Sequence, residues 1–394
     1  MREWWPVLQN LIQARSVFEG EHAAVAVVER AIGQLGLTAM ALPFEAEHLA
    51  GLPGAQPPFS PVTGRRNLIA TVPGAGGGRS LILNSHLDTV PEGDRSEWRH
   101  APFSGAIEDD VIYGRGAFDD KSGVVLCLAL LERAARSGLR GNLIAQFVLE
   151  DETTGNGTLV CLDRGPGADA AVIVDGTRGD RGINEHAGNV RFSVDVFGRP
   201  ASVSVSHKGV NAAELLARLL IEIRDAVFAL NAGNVEPWTQ YPSPNQCAVL
   251  ALDCAETTLT VPAIASATCF ATFTPPHCLA TFRELISSVV CRFAARNGLA
   301  RVPALHWGSF AAEPVRSSSA ALEEAIRNAA GVAVPFGPST GTSDLRHFVA
   351  RSIPCVLFGP GRGHHPHRAN ESFELASLAE TADIIWRTVE TWCA

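Results

Sequence analysis

The sequence has no apolar run approaching ~18 residues, so nothing in it is expected to cross a membrane as a helix. It has no basic run and no basic patch interleaved with aromatics. Lys and Arg number 32 against 41 Asp and Glu, for a net charge of −9, which argues against a nucleic-acid partner. The opening stretch MREWWPVLQNLIQARSVFEGE lacks an apolar h-region and a small-residue cleavage site. No secretory signal is read there, and the expected location is the cytoplasm. There is no CxxC pair among the nine cysteines, and their number is odd. They read as reduced thiols, mostly small core residues, rather than as disulfides or a thiolate zinc site.

What is present is ordinary globular composition, 46% hydrophobic and 19% charged over 394 residues. One core rarely grows past about 250–300 residues, so two domains are expected. Residues 2–16 and 21–37 read as amphipathic helices. Asn67–Val72, Ser80–Ser85, Asn142–Leu149 and Ala170–Val174 are short apolar runs between turns, the pattern of buried strands. Asp120–Ala135 has helical spacing and stops near Gly138. Strands alternating with helices predict an α/β domain with a mixed, mostly parallel sheet.

The texture changes near residue 186. Val190–Phe197 alternates polar and apolar residues, as a half-exposed antiparallel strand does. Asn211–Phe228 is an amphipathic helix, followed by strand candidates at Ala248–Leu252 and Ala267–Phe273. A helix at Leu279–Asn297 and a strand at Leu305–Phe310 complete a small α+β unit. After about residue 312 the α/β texture returns, with a helix at Ser319–Ala330 and a buried strand at Ile353–Phe358. The expectation is a catalytic domain of residues 1–186 and 312–394, with residues 187–311 inserted.

The polar residues that end the buried strands carry the chemistry, because ligands bind at the carboxyl edge of open α/β sheets. One strand ends in His86-Leu-Asp88, whose alternate residues share a face. Alone, it reads as readily as a hydrogen-bonded histidine at a strand end. Gly114-Arg-Gly-Ala-Phe-Asp119-Asp120 delivers two acids before a helix, where they could equally cap it. Glu150-Asp151-Glu152 sets three carboxylates side by side, either as an exposed acidic turn or around a cation that offsets their repulsion. Asp175 ends another strand, and His364-His365-Pro-His367 adds three imidazoles in four positions. Together these groups suit a hydrolytic pair of zinc, cobalt or manganese ions, with no thiolate ligand.

With these motifs the chain resembles the M20 metallopeptidases, the group of acetylornithine deacetylase, succinyl-diaminopimelate desuccinylase, aminoacylase and carboxypeptidase G. Ser85-His86-Leu-Asp88-Thr-Val-Pro, Gly114–Lys121 and His367-Arg-Ala-Asn370-Glu371 are similar to the family's metal motifs. The resemblance implies a zinc-exopeptidase-like catalytic domain with an inserted ferredoxin-like α+β domain for dimerisation or closure. It implies two divalent ions, zinc before cobalt or manganese. His86, Asp119 and Asp175 would hold one and Asp119, Glu152 and His367 the other, with Asp88 orienting His86. The glycines after the acidic triplet set Asp151 as the general base, a position where the family normally has Glu. Glu150 as base with Asp151 as ligand is the competing register.

The implied reaction is hydrolysis of an amide in an N-acyl amino acid, small peptide or related N-acyl amine by a metal-bridging hydroxide. The implied substrate is a small molecule that carries a carboxylate, and Thr342 and Arg346 are candidates to hold it. A homodimer through the inserted domain is expected as well. One departure stands out: where the family places an oxyanion-stabilising histidine, this chain has Ser202, with His207 five residues on. Losing such a donor costs about 10²–10³ in rate. The alternatives are therefore an enzyme turned to acyl transfer or cyclisation, and a non-catalytic metal-binding dimer.

Overall fold

A computed structural model of the chain describes residues 1–58, 60–254 and 259–394, apart from the Ser309 side chain. In chain order the first elements are α1 (Trp5–Gln13), α2 (His22–Gln34), β1 (Met40–Pro43), α3 (Ala46–Gly51), β2 (Arg66–Val72), β3 (Leu81–His86), β4 (Ala106–Glu108) and β5 (Val111–Tyr113). There follow α4 (Lys121–Ala134), β6 (Leu143–Val148), α5 (Asn156–Arg164), β7 (Ala170–Ile173) and β8 (Gly182–His186). Next come β9 (Gly188–Phe197), α6 (Ala212–Ala229), β10 (Gln246–Cys254), β11 (Ile264–Phe273), α7 (Leu279–Arg296) and β12 (Ala304–Ala312). The chain closes with β13 (Val315–Arg316), α8 (Ala320–Ala330), β14 (Phe336–Ser339), α9 (Leu345–Ala350), β15 (Cys355–Leu357), β16 (Gly363–His364), β17 (Ser372–Glu374) and α10 (Leu375–Trp392).

Two compact units result. The first comprises residues 1–185, 316–337 and 343–394, and the second residues 186–315 and 338–342. The first unit is built on a sheet ordered β1-β2-β6-β3-β7-β15-β8-β13. Its centre is parallel, β6 beside β3, β3 beside β7 and β7 beside β15, whereas β1/β2, β2/β6 and β15/β8 are antiparallel. The central strands are buried along their whole length, which explains their unbroken apolar sequences. The antiparallel margin at β1 has no such signature: Met40–Pro43 buries a single residue. Likewise the small sheet β16-β17-β5-β4 is built from strands of two or three residues, too short to leave a period in the sequence. The helix α10 is long and amphipathic and packs against α8.

The second unit is a four-stranded antiparallel sheet, β10-β11-β9-β12, with the chain order βαββαβ of a ferredoxin-like fold. Leu215, Leu216, Leu219, Ile223 and Val227 recur at helical spacing on α6 and join the core formed with β9, β11 and α7. Asn211 caps α6, its side chain accepting from the Ala213 N–H at 3.0 Å and the Glu214 N–H at 3.4 Å. All nine cysteines are free thiols. Among the described residues no helix is long and apolar enough to cross a membrane.

Candidate metal centre

The parallel register brings three strand ends to one edge. His86 pairs with Val148, so the chain after β6 runs directly beside His86 and carries Glu150, Asp151 and Glu152. Asn84 pairs with Ile173, which sets Asp175 two residues beyond β7 on the same side. The turn before α4 supplies Asp119, and the loop between β16 and β17 supplies His367.

These side chains form two groups that share Asp119. His86, Asp119 and Asp175 offer ligand atoms within 4.8 Å of one another, and so do Asp119, Glu152 and His367. His86 Nε2 lies 2.9 Å from Asp119 Oδ1, while His367 Nε2 lies 3.0 Å from Asp119 Oδ2 and 3.0 Å from Glu152 Oε2. Asp151 Oδ2 is 4.0 Å from His86 Nε2, and its side chain stays 21% exposed, within reach of solvent.

The electrostatics of this cluster call for cations. Burial, followed by repulsion among neighbouring carboxylates, pushes Asp151, Glu152 and Asp175 up to about 7. Burial also opposes ionisation of Asp119, but hydrogen bonds from His367 and His86 outweigh it and hold that carboxyl below the usual range. In His86, burial disfavours the charged ring, yet the hydrogen bond to Asp119 and the charge of Asp151 raise it well above a normal imidazole. Hydrogen bonds to Asp119 and Glu152 raise His367 to about 11. A divalent ion in each group would offset the same carboxylate charge. Glu152 Oε1 is buried with no hydrogen-bond partner among the described residues. The donor set, imidazole and carboxylate without thiolate, fits zinc, cobalt or manganese.

The surrounding groups fix the donors. His86 Nδ1 lies 2.9 Å from the main-chain oxygen of Asp88, which can only accept, so Nδ1 carries the proton and Nε2 faces Asp119. The Asp88 carboxylate stands farther from the ring, at 3.6 Å, and accepts instead from the N–H groups of Asp151 at 3.3 Å and Glu152 at 3.2 Å. Asp88 therefore orients His86 through its backbone and braces the acidic turn through its side chain.

Glu371, fully buried, binds the glycine-rich turn: it accepts from Arg115 Nη1 and from the N–H groups of Gly116, Phe118 and Asp119. The sequence shows Glu371 in a motif with His367, but not the donors it serves, which lie some 250 residues away.

Glu150 points away from both groups. Arg65 Nη1 donates to its Oε1 at 2.5 Å, and the Thr154 hydroxyl and Asn156 amide donate to its Oε2. Arg346 spends two donors on main-chain oxygens, those of Ser343 at 3.1 Å and Thr154 at 2.8 Å. Gly155 has a left-handed φ of +70°, and a Cβ there would press on the Arg346 and Asp344 side chains, so a larger residue at the end of the acidic turn would be strained. The Thr342 hydroxyl is buried without a hydrogen-bond partner among the described residues. In the second unit, Ser202 and His207 are both exposed around a short 3-10 turn at residues 203–208, and Ser202 Oγ is 3.0 Å from Ser204 Oγ.

Comparison with known proteins follows the same lines. Residues 82–391 match the profile of peptidase family M20/M25/M40. The chain is 30% identical over 404 aligned positions to a succinyl-diaminopimelate desuccinylase of Methylobacterium radiotolerans, covering 98% of this chain and 95% of the relative. It is 25% identical to the enzyme of that name from Ehrlichia canis, covering 95% and 94%. Among solved structures, an M20 family metallo-carboxypeptidase from Sulfolobus solfataricus superposes with a TM-score of 0.75 at 18% identity, covering 100% and 99%. A dinuclear metal binding M20 peptidase from Bacillus subtilis gives 0.69 at 13% identity, covering 100% and 98%.

Proposed function

The chain belongs to peptidase family M20/M25/M40 and is a metal-dependent hydrolase; we propose that it hydrolyses the amide bond of a small N-acyl amino acid or N-acyl amine at a dinuclear zinc site. The observation that carries this reading is the pair of ligand groups sharing Asp119. His86, Asp119 and Asp175 would hold one ion and Asp119, Glu152 and His367 the other. Such ions would supply Lewis acidity toward an amide carbonyl and toward a water molecule.

The chain's own groups do the rest. Asp151 receives the proton of the attacking water at Oδ2 and returns it to the leaving nitrogen. Its position 4.0 Å from His86 Nε2 supports this role, as does Glu150's engagement with Arg65. Asp88 keeps Asp151 and Glu152 in register through their N–H groups. The substrate class follows the desuccinylase relatives: an acyl group with its own carboxylate on an amine-bearing amino acid. Diversion to acyl transfer or cyclisation, and a purely structural use of the metals, have no support in those relatives.

A homodimer through the second unit is part of the same reading. Its edge strand β10 exposes Val249, Leu250 and Leu252, a surface that a second copy can cover.

The test is metal content together with turnover of N-succinyl-diaminopimelate, N-acyl amino acids and dipeptides by zinc-loaded protein. Two equivalents per chain and release of a free amine are expected. Less than one equivalent after loading refutes the dinuclear reading, and two equivalents without amide cleavage refute the hydrolytic one.

A further inference from the structure

We propose that Arg65 is a positioning residue for the metal centre, acting through Glu150 on Asp151 and Glu152. The inference rests on the reading of that centre given above, and it begins in the sheet. β2 and β6 are antiparallel with Leu68 opposite Phe147 and Ile69 opposite Gln146. The same register carried past the strand ends puts Arg65 opposite Glu150, immediately before the acidic turn.

There the guanidinium bridges two carboxylates. Nη1 donates to Glu150 Oε1 at 2.5 Å and to Ser60 Oγ at 3.1 Å, and Nη2 donates to Glu21 Oε1 at 2.6 Å. All three charged side chains are at least nine-tenths buried, so removing one partner leaves the others' charge without its counterpart away from water. Glu21 sits at the start of α2, which fixes the far end of the bridge to a helix.

Glu150 passes this anchorage to the turn. Its carboxylate takes the Thr154 hydroxyl and Asn156 amide, and its main-chain oxygen takes the N–H groups of Thr153, Thr154 and Gly155. Glu150 also has a φ of +69°, a conformation that a non-glycine residue keeps only when its surroundings hold it. Asp151 and Glu152 follow directly. The Asp88 carboxylate holds them on the side of His86, and the Glu21–Arg65–Glu150 bridge holds the turn from behind. Lysine at 65 keeps the charge but offers one compact ammonium, unable to reach both carboxylates as the planar fork does.

The experiment uses the full-length protein. Metal-free wild type, Arg65→Lys, Glu21→Gln and Glu152→Ala are titrated with Zn²⁺ by calorimetry. Melting temperature, kcat and KM of the zinc-loaded forms are measured alongside. Arg65→Lys should weaken, by about tenfold, the one zinc equivalent that Glu152→Ala abolishes and leave the other unchanged. Its kcat should fall by a similar factor with KM unchanged. Glu21→Gln leaves Arg65 in place and should shift the same equivalent in the same direction by less. In a Glu150→Gln background, Arg65→Lys should add no further loss of kcat.

A lower melting temperature with both zinc affinities and kcat within twofold of wild type makes Arg65 a stability residue and overturns the proposal. If Arg65→Lys does not fold, an unchanged Glu21→Gln overturns it. Wild-type protein that takes up no zinc overturns the metal-centre reading and this inference together, whereas loss of one equivalent in Glu152→Ala with normal two-site uptake in Arg65→Lys and Glu21→Gln overturns the inference alone.

Discussion

Replacing Glu371 with glutamine exchanges one oxygen for nitrogen at nearly constant volume, yet it should be among the most damaging substitutions in the first unit. Oε1 accepts from the N–H of Phe118 at 3.0 Å and of Asp119 at 3.1 Å, while Oε2 accepts from Arg115 Nη1 at 2.7 Å and the Gly116 N–H at 3.1 Å. An amide keeps one oxygen and turns an NH₂ group toward two of these four donors. Each stranded donor costs about 1–3 kcal/mol. Arg115 is 1% exposed and would lose its counter-charge; breaking a buried pair from one side costs about 3–5 kcal/mol. The two costs overlap, because Arg115 is one of the four donors, so the expected loss is about 3–5 kcal/mol against a usual total of about 5–15 kcal/mol.

Urea unfolding of the metal-free protein measures that loss. Zinc titration measures its consequence, because the freed N–H of Asp119 loosens the carboxylate common to both ligand groups. Both zinc equivalents should weaken together, unlike the single-site effect expected of Arg65. A loss below about 1 kcal/mol would show that water replaces Glu371 at no cost and would refute the reasoning. A large loss with unchanged zinc affinity would refute the link to Asp119.

Asp151→Asn should retain both zinc equivalents while lowering kcat by at least about 10², and Glu152→Ala should lose one equivalent; loss of metal in Asp151→Asn would return the base to Glu150. Burial and the nearby Asp151 hold the Asp344 carboxyl well above its normal range, against the pull of Arg346. Its stabilising contribution is therefore complete below about pH 4 and is lost as pH rises toward the raised folded value. Asp344→Asn should accordingly melt higher than wild type at pH 8 and level with it near pH 4; a lower melting point at pH 8 would mean an ionised Asp344. On the reading that the smaller side chain at position 202 admits a bulkier substrate than the family's histidine would, Ser202→His should reduce kcat/KM on the accepted substrate. A gain approaching 10² would identify position 202 as a vacated oxyanion donor.

The strand-end rule brings these residues together because β3, β6 and β7 are parallel, fully buried and adjacent, so their last residues emerge at one edge. Continuous apolar runs announce such strands, and the first polar residue after each announces the edge. The same rule is blind to groups that act from antiparallel margins or from far along the chain. Arg65 stands before a strand, among ordinary turn residues, and only the β2/β6 register brings it to Glu150. Glu371 was visible in its motif, but the four donors it serves were not. Asp88 was legible as a partner of His86, although the division between its carbonyl and its carboxylate depends on how the chain bends after β3. The weaker strands β1, β4, β5, β16 and β17 were illegible for a plainer reason: they are too short, or too exposed, for a period of two to appear.

The two histidines stand in very different surroundings. His86 closes a buried strand with 3% of its side chain exposed, while His367 lies on a loop with 52% exposed and a φ of +60°. Ions held by the two groups would therefore exchange on different clocks. On the proposed dinuclear reading, an ion on His367 would be freed by the motion of a surface loop, whereas one on His86 would keep a ligand fixed at the end of a buried strand. A brief chelator pulse should yield a protein carrying one ion, and refilling the emptied position with a different metal gives a defined heterobimetallic form in which each position reports separately.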